Sequence, residues 1–438
     1  MRSTRIRRLS VPLVVAASAA LVLAGCTSGS STSSTSAAAV DLKGVTLNVA
    51  SDWSGAEQTT FEKVLSNFEQ MTGATVNYTS YGTDVATTLN TKIQGGDPPD
   101  VAVIPQPGQL DSLAKAGNLI PLDSATADTV KANYSQDWVD LGTVDDKLYG
   151  VWFKASNKST VWYNADVYDT AGATTPATWD DFTKQLTLVS DSGVYGLSVG
   201  ADAGWPLTDW FENVYLRSAG ADMYDKLATH EIPWTDPSVT EALTMLGTLW
   251  GNTTIMQPGA AQRTFGDSVI AVFGDPPAAG TVYEGDFVIG NIQSDTKAEV
   301  GKTAQFYDFP SINGSEPSVV GGGNVAVQLK DNKGAAALMS YLATPEAASI
   351  WVKEGGFTSP NKEVDVSAYP DDVSKKIAEA LVNAKIFRFD MSDLAPSAFG
   401  GTKGAGEWQI LINFLENPTD VAGTQQQLES AAQAAWAQ

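Results

Sequence analysis

Strand and helix patterns alternate along residues 45–114, and this alternation restricts the possible folds more than any other feature of the sequence. In residues 45–49 apolar and polar side chains alternate, which is typical of a strand with one buried face. Residues 61–71 repeat apolar side chains every three or four positions, which predicts an amphipathic helix, and Gly73 follows where a helix is expected to end. The succession continues with two more strands and two more helices, at residues 74–79, 85–93, 101–104 and 110–114. This order predicts an α/β fold with a mostly parallel sheet and helices on both faces.

The loops that follow the three predicted strands are the first candidates for a binding site, since parallel sheets bind ligands beyond the carboxyl ends of their strands. These loops span residues 51–57, 80–82 and 105–107 and carry polar groups. Trp53 and Tyr81 add aromatic rings to the first two loops, and each is either a ligand contact or ordinary packing. None of the loops contains G-x-G-x-x-G, and the chain has no G-x-x-x-x-G-K-[ST]. We therefore expect neither a dinucleotide site nor an ATPase.

An export signal precedes this region. Four arginines lie within the first eight residues, and the apolar run at 11–23 is too short for a permanent membrane span. Residues 23–26, Leu-Ala-Gly-Cys, resemble a bacterial lipobox, which implies cleavage before Cys26 and attachment of lipid to that cysteine. The alternative is an ordinary signal peptide with a chance cysteine. We predict a signal peptide at 1–25, a lipidated cysteine with a flexible tether at 26–40, and an exported protein anchored to the outer face of the cell membrane.

Composition and charge exclude several classes of function. The chain has 438 residues and a net charge of −23, or −27 once the four arginines of residues 1–25 are removed, so we expect no nucleic-acid partner. A folded part of about 400 residues favours two domains. His230 is the single histidine and Cys26 the single cysteine, so zinc sites and Ser-His or Cys-His catalysis lack their residues. We expect no cofactor and no metal.

Several stretches of the sequence resemble extracellular solute-binding proteins of carbohydrate ABC importers. In chain order they are YGVWFKASNKSTVWYN at 149–164, TPATWDDF at 175–182, GWPLTDWFENVYLRSAG at 204–220, GGGNVAV at 321–327 and MSYLATPEAASIWVKEGGFTSPNK at 339–362. Each stretch is weak evidence alone, but their order is specific, and the similarity covers almost the whole exported chain. Within this superfamily the chain is similar to maltose-binding and α-glucoside-binding members.

The resemblance implies a two-lobed, periplasmic-binding-protein-like fold of type II, with a mostly parallel sheet in each lobe and hinge crossings between the lobes. It implies a first lobe at 41–152 plus 307–357 and a second lobe at 153–306 plus 358–438. A carbohydrate would bind between the lobes, which would close and present it to the membrane permease subunits of an ABC transporter. The implied protein is a monomer and not an enzyme. Its implied ligand is an α-linked glucose di- or oligosaccharide such as maltose or trehalose, with another oligosaccharide or a polyol as the alternative.

The best single candidate stretch for sugar contacts is residues 204–210. Pro206 prevents a helix from running through Trp205, so we expect a turn there. Trp205 is predicted to stack on the apolar face of a sugar, with a core anchor as the alternative. Asp209 is predicted to accept hydrogen bonds from sugar hydroxyls, and its alternative is a helix N-cap.

Further candidates follow predicted strand ends, a glycine run and the last hinge. An apolar strand is predicted at 269–272, and Asp275 and Glu284 follow as polar candidates, each with a solvated turn or loop as its alternative. Glu57 and Gln106 match polar positions of the resembling family, although Glu57 also suits a first helical turn. The remaining candidates are Gly322 and Asn324 in the glycine run, Phe357 beside the last hinge, and Arg388, for which a salt bridge within one lobe is equally expected.

Two other classes of function stay open at this point. An exported glycoside hydrolase would use paired carboxylates, but among 50 acidic residues a pair can always be proposed. A structural or adhesive lipoprotein would show repeats or extended β-rich segments, and the sequence has neither. A sugar-capture protein needs no covalent chemistry, which agrees with the missing catalytic residues, and we favour it.

Overall fold

The computed structural model describes residues 40–437, so the predicted signal peptide and Cys26 lie outside the described residues. The strands within this range are β1 Thr46–Ser51, β2 Thr75–Ser80, β3 Val101–Ile104, β4 Thr143–Val144, β5 Lys147–Leu148, β6 Gly150–Asn157, β7 Thr160–Asn164, β8 Tyr195–Ser198, β9 Ala279–Tyr283, β10 Ala304–Asp308, β11 Ser318–Gln328 and β12 Ile386–Phe389.

The helices surround these strands. They are α1 Gly55–Thr72, α2 Val85–Gln94, α3 Pro107–Lys115, α4 Ser124–Asn133, α5 Gln136–Leu141, α6 Ala165–Ala171, α7 Trp179–Asp191, α8 Trp205–Ala219, α9 Ala221–Ala228, α10 Pro237–Trp250, α11 Phe265–Phe273, α12 Val288–Asp295, α13 Lys333–Leu342, α14 Pro345–Val352, α15 Asp372–Val382, α16 Met391–Leu394, α17 Ser397–Gly400, α18 Gly406–Glu416 and α19 Val421–Trp436.

The larger sheet has the strand order β12-β11-β3-β1-β2, and β6 also pairs with β11. The pairs β1–β2, β1–β3 and β11–β12 are parallel, as predicted for the first lobe, whereas β11 runs antiparallel to β3 and β6. The predicted succession of strands and helices over residues 45–114 is confirmed, and Gly73 ends α1 in the left-handed conformation with a φ of 76°.

The smaller sheet has the order β10-β7-β9-β8, and only its β8–β9 pair is parallel. The sequence predicts a mostly parallel sheet here, and this detail is wrong. The chain enters this sheet from the larger one along β7, after a link at Lys158 and Ser159. The chain runs back toward that link along β9, and just after β9 the Glu284 N–H donates a hydrogen bond to the Thr160 carbonyl. The chain then leaves the sheet along β10. A strand that returns toward a crossing runs opposite to the strand that left it, so these pairs are antiparallel.

Separate buried clusters pack against the two sheets. One contains Trp53, Phe61 and Trp351 and covers the larger sheet, while another contains Trp210 and Phe414 and covers the smaller one. This division is the two-lobed α/β architecture that the sequence predicts. Strand β12 pairs in the larger sheet although the predicted boundary assigns it to the second lobe, because pairing between β11 and β12 joins segments that are far apart in sequence. The predicted boundaries at 152/153 and 306/307 are also misplaced by a few residues, since all of β6 pairs with β11 in the larger sheet and all of β10 pairs with β7 in the smaller one. The remaining lobe boundaries stay predictions.

The predicted strand at 269–272 is wrong, because these residues lie in helix α11. Thr264 caps this helix by accepting a hydrogen bond from the Asp267 N–H at 3.0 Å. A four-residue apolar run fits a buried strand and a buried helix turn equally well, so periodicity alone could not separate them. Helix α7 begins after Thr178, whose hydroxyl accepts a hydrogen bond from the Asp181 N–H at 3.2 Å.

Candidate functional site

A cavity of about 500 Å³ lies between the carboxyl-end loops of the larger sheet and the helix starts of the other lobe. The loops after β1 and β3 and the strands β6 and β11 line its first side. The starts of α8 and α11 and the segment before α12 line its second side. This size falls within the range of pockets that bind small molecules.

Three aromatic rings form the wall of the second side. The Trp205 ring lies 5.3 Å from that of Phe265 and 5.8 Å from that of Phe287, and the two phenylalanine rings lie 5.5 Å apart, all in edge-to-face contact. Each ring stays partly exposed and lines the cavity. Because rings offer an apolar face, this aromatic wall suits the C–H face of a sugar ring.

Local backbone chemistry sets the position of Trp205. Helix α8 begins at this residue with Pro206 in its first turn, so the turn predicted at residues 204–210 is wrong and the chain bends just before it, at residues 202–204. Proline is tolerated in a first helical turn because its missing N–H would have no partner there. Gly204 precedes it with a φ of 96°, and a Cβ atom there would lie 2.6 Å from the Cβ of Trp408. Only glycine combines this conformation with such a close approach, so Gly204 brings α8 and α18 together at the cavity.

Asp52 faces the cavity from the loop after β1. The Asn324 Nδ2 group donates to its two carboxylate oxygens at 3.1 and 3.3 Å. Burial raises the pKa of Asp52 to about 7, with the negative charge of Glu57 acting in the same direction. Asp52 is thus a hydrogen-bonding group that changes protonation near neutral pH.

Lys154 is a charged residue inside the fully buried strand β6. Its Nζ atom lies 2.5 Å from the Glu57 carboxylate and 5.6 Å from the centre of the Phe287 ring. The lysine is 1% exposed. This pair therefore connects the larger sheet to the start of α1, and its ammonium group lies over the Phe287 ring of the aromatic wall.

Lys158 lies at the link between the two sheets, where three carboxylates surround its ammonium group. The Nζ atom donates to Asp209 at 3.1 Å, forms a shorter bond with Asp390, and lies 3.6 Å from Asp393. Burial opposes ionisation of Asp390, but the ammonium group outweighs it and holds the pKa of Asp390 below its ordinary value. Among residues 40–437, no group of His, Cys, Asp or Glu is arranged to hold a metal ion.

Five of the predicted ligand residues line this cavity: Trp53, Glu57, Gln106, Trp205 and Asn324. Trp53 is 2% exposed and packs edge-on against Phe61 and Trp351, so most of its ring serves the core. Gln106 is also buried, and its Oε1 atom has no hydrogen-bond partner within the described residues. That free acceptor fits a ligand hydroxyl.

Four predicted residues lie behind the cavity lining. Asp209 and Glu284 are buried next to Lys158, and Phe357 stacks on Trp351 at 5.0 Å within the first core. Gly322 contacts Lys158, since a Cβ atom there would lie 2.7 Å from the lysine Cε. These residues support the lining without belonging to it.

Three predicted residues lie outside the lining. Tyr81 packs against the first core beside Gly82, which does line the cavity. Asp275 lines a different cavity of about 390 Å³ near the end of α11. Arg388 forms a two-pronged salt bridge with Asp225 at 2.5 and 2.8 Å, as the alternative supposed, but the bridge joins β12 of the larger sheet to α9 instead of lying within one lobe.

The sequence reasoning missed several lining residues: Asp52, Lys154, Lys158, Phe265, Phe287, Asp390, Asp393 and Trp408. For two of them a signal existed. Lys154 follows the apolar residues 151–153, and a lysine in a buried strand is rare unless it is paired, while Asp52 lies in the loop 51–57 that the strand pattern nominated. The others come from segments whose approach to the cavity no local pattern reports.

The sequence model of the family described as bacterial extracellular solute-binding protein matches residues 63–379. This chain belongs to that family. The solute-binding protein is 35% identical over 402 residues to the alpha-glucosides-binding periplasmic protein AglE of Rhizobium meliloti (strain 1021), covering 87% of this chain and 86% of AglE. It is 33% identical over 372 residues to the osmoprotective compounds-binding protein GgtB of Synechocystis sp., covering 82% of this chain and 86% of GgtB.

Solved structures agree with the two-lobed fold of this solute-binding protein. The solute receptor AcbH, reported to prefer β-D-galactopyranose, has a TM-score of 0.75 at 24% identity, covering 89% of this chain and 98% of AcbH. RafE in complex with raffinose has a TM-score of 0.72 at 18% identity, covering 89% of this chain and 99% of RafE. At these identities the likeness shows the fold alone.

The family membership decides between the classes of function that the sequence left open. This chain is a member of a family of exported solute-binding proteins, and it is not an enzyme. Within residues 40–437 every helix is too short or too polar to cross a membrane.

Proposed function

We propose that the cavity captures an α-linked glucose di- or oligosaccharide, such as maltose or trehalose, and presents it to the permease. The observation that carries the proposal is the aromatic wall of Trp205, Phe265 and Phe287 in one cavity with the polar groups of Asp52 and Asn324. A sugar needs both, because its C–H faces are apolar and its hydroxyls are directional. The name of AglE supports the α-glucoside class.

Each set of residues has a distinct role in this proposal. The aromatic wall stacks on pyranose faces. Asp52 and Glu57 accept hydrogen bonds from hydroxyls, and Gln106 offers its unpartnered Oε1 atom. Lys154 holds the Glu57 carboxylate in place through an ion pair, and Lys158 does the same for Asp209.

Capture involves closure of the lobes around the sugar. The cavity is lined from both lobes, so a ligand that touches both sides favours the arrangement in which they are close. The links at Lys158 and Ser159 and at residues 309–317 connect the two sheets and are the positions where hinge rotation is expected. The bodies proposed to move are the predicted lobes, 41–152 plus 307–357 and 153–306 plus 358–438, with all of β6 and β12 carried by the first lobe and all of β10 by the second.

A lipid on Cys26 and the tether after it would keep the protein beside its permease. Both lie outside the described residues, except for Val40 at the end of the tether. A tether raises the effective concentration of the sugar-binding protein at the membrane. We propose that the carrier acts as a monomer.

Another oligosaccharide or a polyol is the second candidate ligand. GgtB supports it, since its name refers to osmoprotective compounds and its identity to this chain is nearly that of AglE. The same cavity chemistry would serve such a ligand.

A thermal-shift panel tests the proposal, because a ligand that binds only the native state raises the apparent stability. The panel contains trehalose, maltose and sucrose against cellobiose, raffinose and galactose, followed by calorimetric titration of each sugar that shifts the melting temperature. Trp205→Ala is expected to weaken binding about 10- to 100-fold, since burial of an aromatic side chain contributes about 1.5–3 kcal/mol. Trp436→Ala is the control, since this ring packs against His230 and Phe399 and does not line the cavity. Shifts for β-linked or galactose-containing sugars alone would refute the α-glucoside assignment.

A further inference from the structure

The charges that line the cavity are unequal in number. Two lysines line it, Lys154 and Lys158, and the lining described between residues 40 and 437 contains no arginine or histidine. Six carboxylates line it as well: Asp52, Glu57, Asp202, Asp295, Asp390 and Asp393. An anionic ligand would therefore meet an excess of negative charge.

Both lysines are already engaged by carboxylates. Lys154 pairs with Glu57, and Lys158 lies among Asp209, Asp390 and Asp393. A site for a carboxylate or phosphate normally offers a cation that is free to pair with it. Neither of the two lysines that line this cavity is free in that sense.

Asp52 differs from the other inner carboxylates in its partners. Its hydrogen bonds come from the neutral amide of Asn324, and no lysine or arginine lies within salt-bridge distance of it among the described residues. The negative charge of Glu57 is close enough to act on Asp52, and the positive charge of Lys154 offsets it only in part. Asp52 therefore lacks the direct ion pair that Glu57, Asp390 and Asp393 each have.

Two buried groups in the lining point to a neutral ligand with hydroxyls. Gln106 leaves its Oε1 acceptor unpartnered, and Trp408 leaves its Nε1 donor unpartnered, within the described residues. Both side chains are more than nine-tenths buried. A hydroxyl can donate to the first and accept from the second, whereas a carboxylate can only accept.

We propose that Asp52 makes the cavity selective for uncharged saccharides and excludes those that carry a carboxylate or phosphate. This inference rests on the proposed role of the cavity as the sugar site. Like charges about 6 Å apart at an effective dielectric constant of about 20 reduce an association constant about 100-fold. At pH 8 Asp52, whose pKa is about 7, can take up a proton and so avoid the repulsion. Protonation one pH unit above the pKa costs a factor of about ten, so the affinity for the anionic ligand should fall about tenfold.

The test compares ligands that differ in charge but not in shape. One primary alcohol of trehalose, maltose and cellobiose is converted to a carboxylate, and in a parallel set to the primary carboxamide. Calorimetric titration at pH 8 measures both forms against the wild type, Asp52→Asn and Asp128→Asn. Asp128 is an exposed carboxylate of α4 outside the lining, so its replacement changes the net charge equally.

We expect the wild type and Asp128→Asn to bind each carboxamide about tenfold more tightly than the matching carboxylate. Asp52→Asn should reduce this ratio to about threefold or less, even though the loss of a hydroxyl acceptor weakens the binding of both forms. An unchanged far-UV circular dichroism spectrum shows that the variant is folded. Equal affinities in the wild type would overturn the inference and leave the α-glucoside proposal standing. A ratio that survives Asp52→Asn would overturn the role of Asp52. Binding of the cellobiose pair alone, with the tenfold ratio, would refute the α-glucoside proposal and support the inference.

Discussion

Glu284 allows a quantitative prediction, because it is a buried acid whose side chain has no hydrogen-bonding donor. It is 1% exposed, and both of its carboxylate oxygens lack a partner within the described residues. Burial raises its pKa from an ordinary value of 4.5 to about 8, and the positive charge of Lys158 moderates this shift. The native protein therefore keeps a proton on Glu284 that the unfolded chain has already released at neutral pH.

The consequence for stability has a definite sign. Since the folded-state pKa is raised, the native state is fully favoured below about pH 4.5, and its stability falls as the pH rises toward 8. Each pH unit of this interval changes the free energy of unfolding by about 1.4 kcal/mol. Between pH 5 and pH 9 the contribution of Glu284 is therefore a loss of about 4 kcal/mol.

Glu284→Gln replaces the protonated carboxyl with a neutral group of the same shape and should abolish this loss. Urea denaturation at pH 5, 7 and 9 measures the free energy of unfolding of the wild type and the variant. We expect a difference near zero at pH 5 and about 4 kcal/mol in favour of the variant at pH 9. Glu316→Gln, at an exposed loop position, is the matched control and should follow the wild type.

A constant difference between wild type and variant from pH 5 to pH 9 would refute the reasoning, because it would mean that Glu284 does not titrate in this interval. Affinity for the sugar provides a second readout. Glu284 lies behind the lining, so the variant should bind within about twofold of the wild type at pH 7, contrary to the role that the sequence predicts for it. A large loss of affinity would mean that Glu284 does contribute to the binding site, as the sequence predicts.

Three further predictions concern charges and the anchor. Lys158→Met leaves Asp209, Asp390 and Asp393 without their cation and should lower the free energy of unfolding by about 3–5 kcal/mol in urea denaturation at pH 7, and a loss below 1 kcal/mol would contradict the described pairing. Arg388→Ala removes a salt bridge to the half-exposed Asp225 and should cost about 1 kcal/mol or less in the same assay, with unchanged sugar affinity by calorimetry. Cys26→Ser should move the protein from the membrane fraction to the medium without changing its sugar affinity, and retention in the membrane fraction would argue against the lipid anchor.

The local sequence was sufficient for most elements of the first lobe. The spacing of apolar residues over 45–114 located three strands and three helices. This works because an element with one buried face repeats its apolar residues at the period of a strand or a helix, whatever surface it packs against. Gly73 marked the end of α1 correctly, because a cap acts over only a few residues. Pro206 predicted the absence of a helix at Trp205, but it lies in the first turn of α8. The same reasoning failed at 269–272, where four apolar residues fit either a strand or a helix.

The sequence also located one half of the cavity. Loops that follow parallel strands lie at one edge of the sheet, which is why the nominated loops at 51–57 and 105–107 line the cavity. The resemblance singled out Glu57 and Gln106 within these loops, and the residue types of 204–210 singled out Trp205. Trp53 shows the limit of this argument, because its loop faces the cavity while its ring packs in the core.

Only the tertiary structure decided which charges meet. Lys158 and Asp390 are 232 positions apart, and no periodicity or motif reports that they touch. Asp209 and Glu284 are acidic residues near predicted turns, which made them candidates, but packing places them behind Lys158 instead of at the cavity. Burial and pairing depend on the distance between side chains in the folded chain, and the sequence alone contains no distances. The sequence therefore determined the family, the two-lobed fold and the expectation of a binding site without catalytic residues. The structure decided which side chains face the cavity.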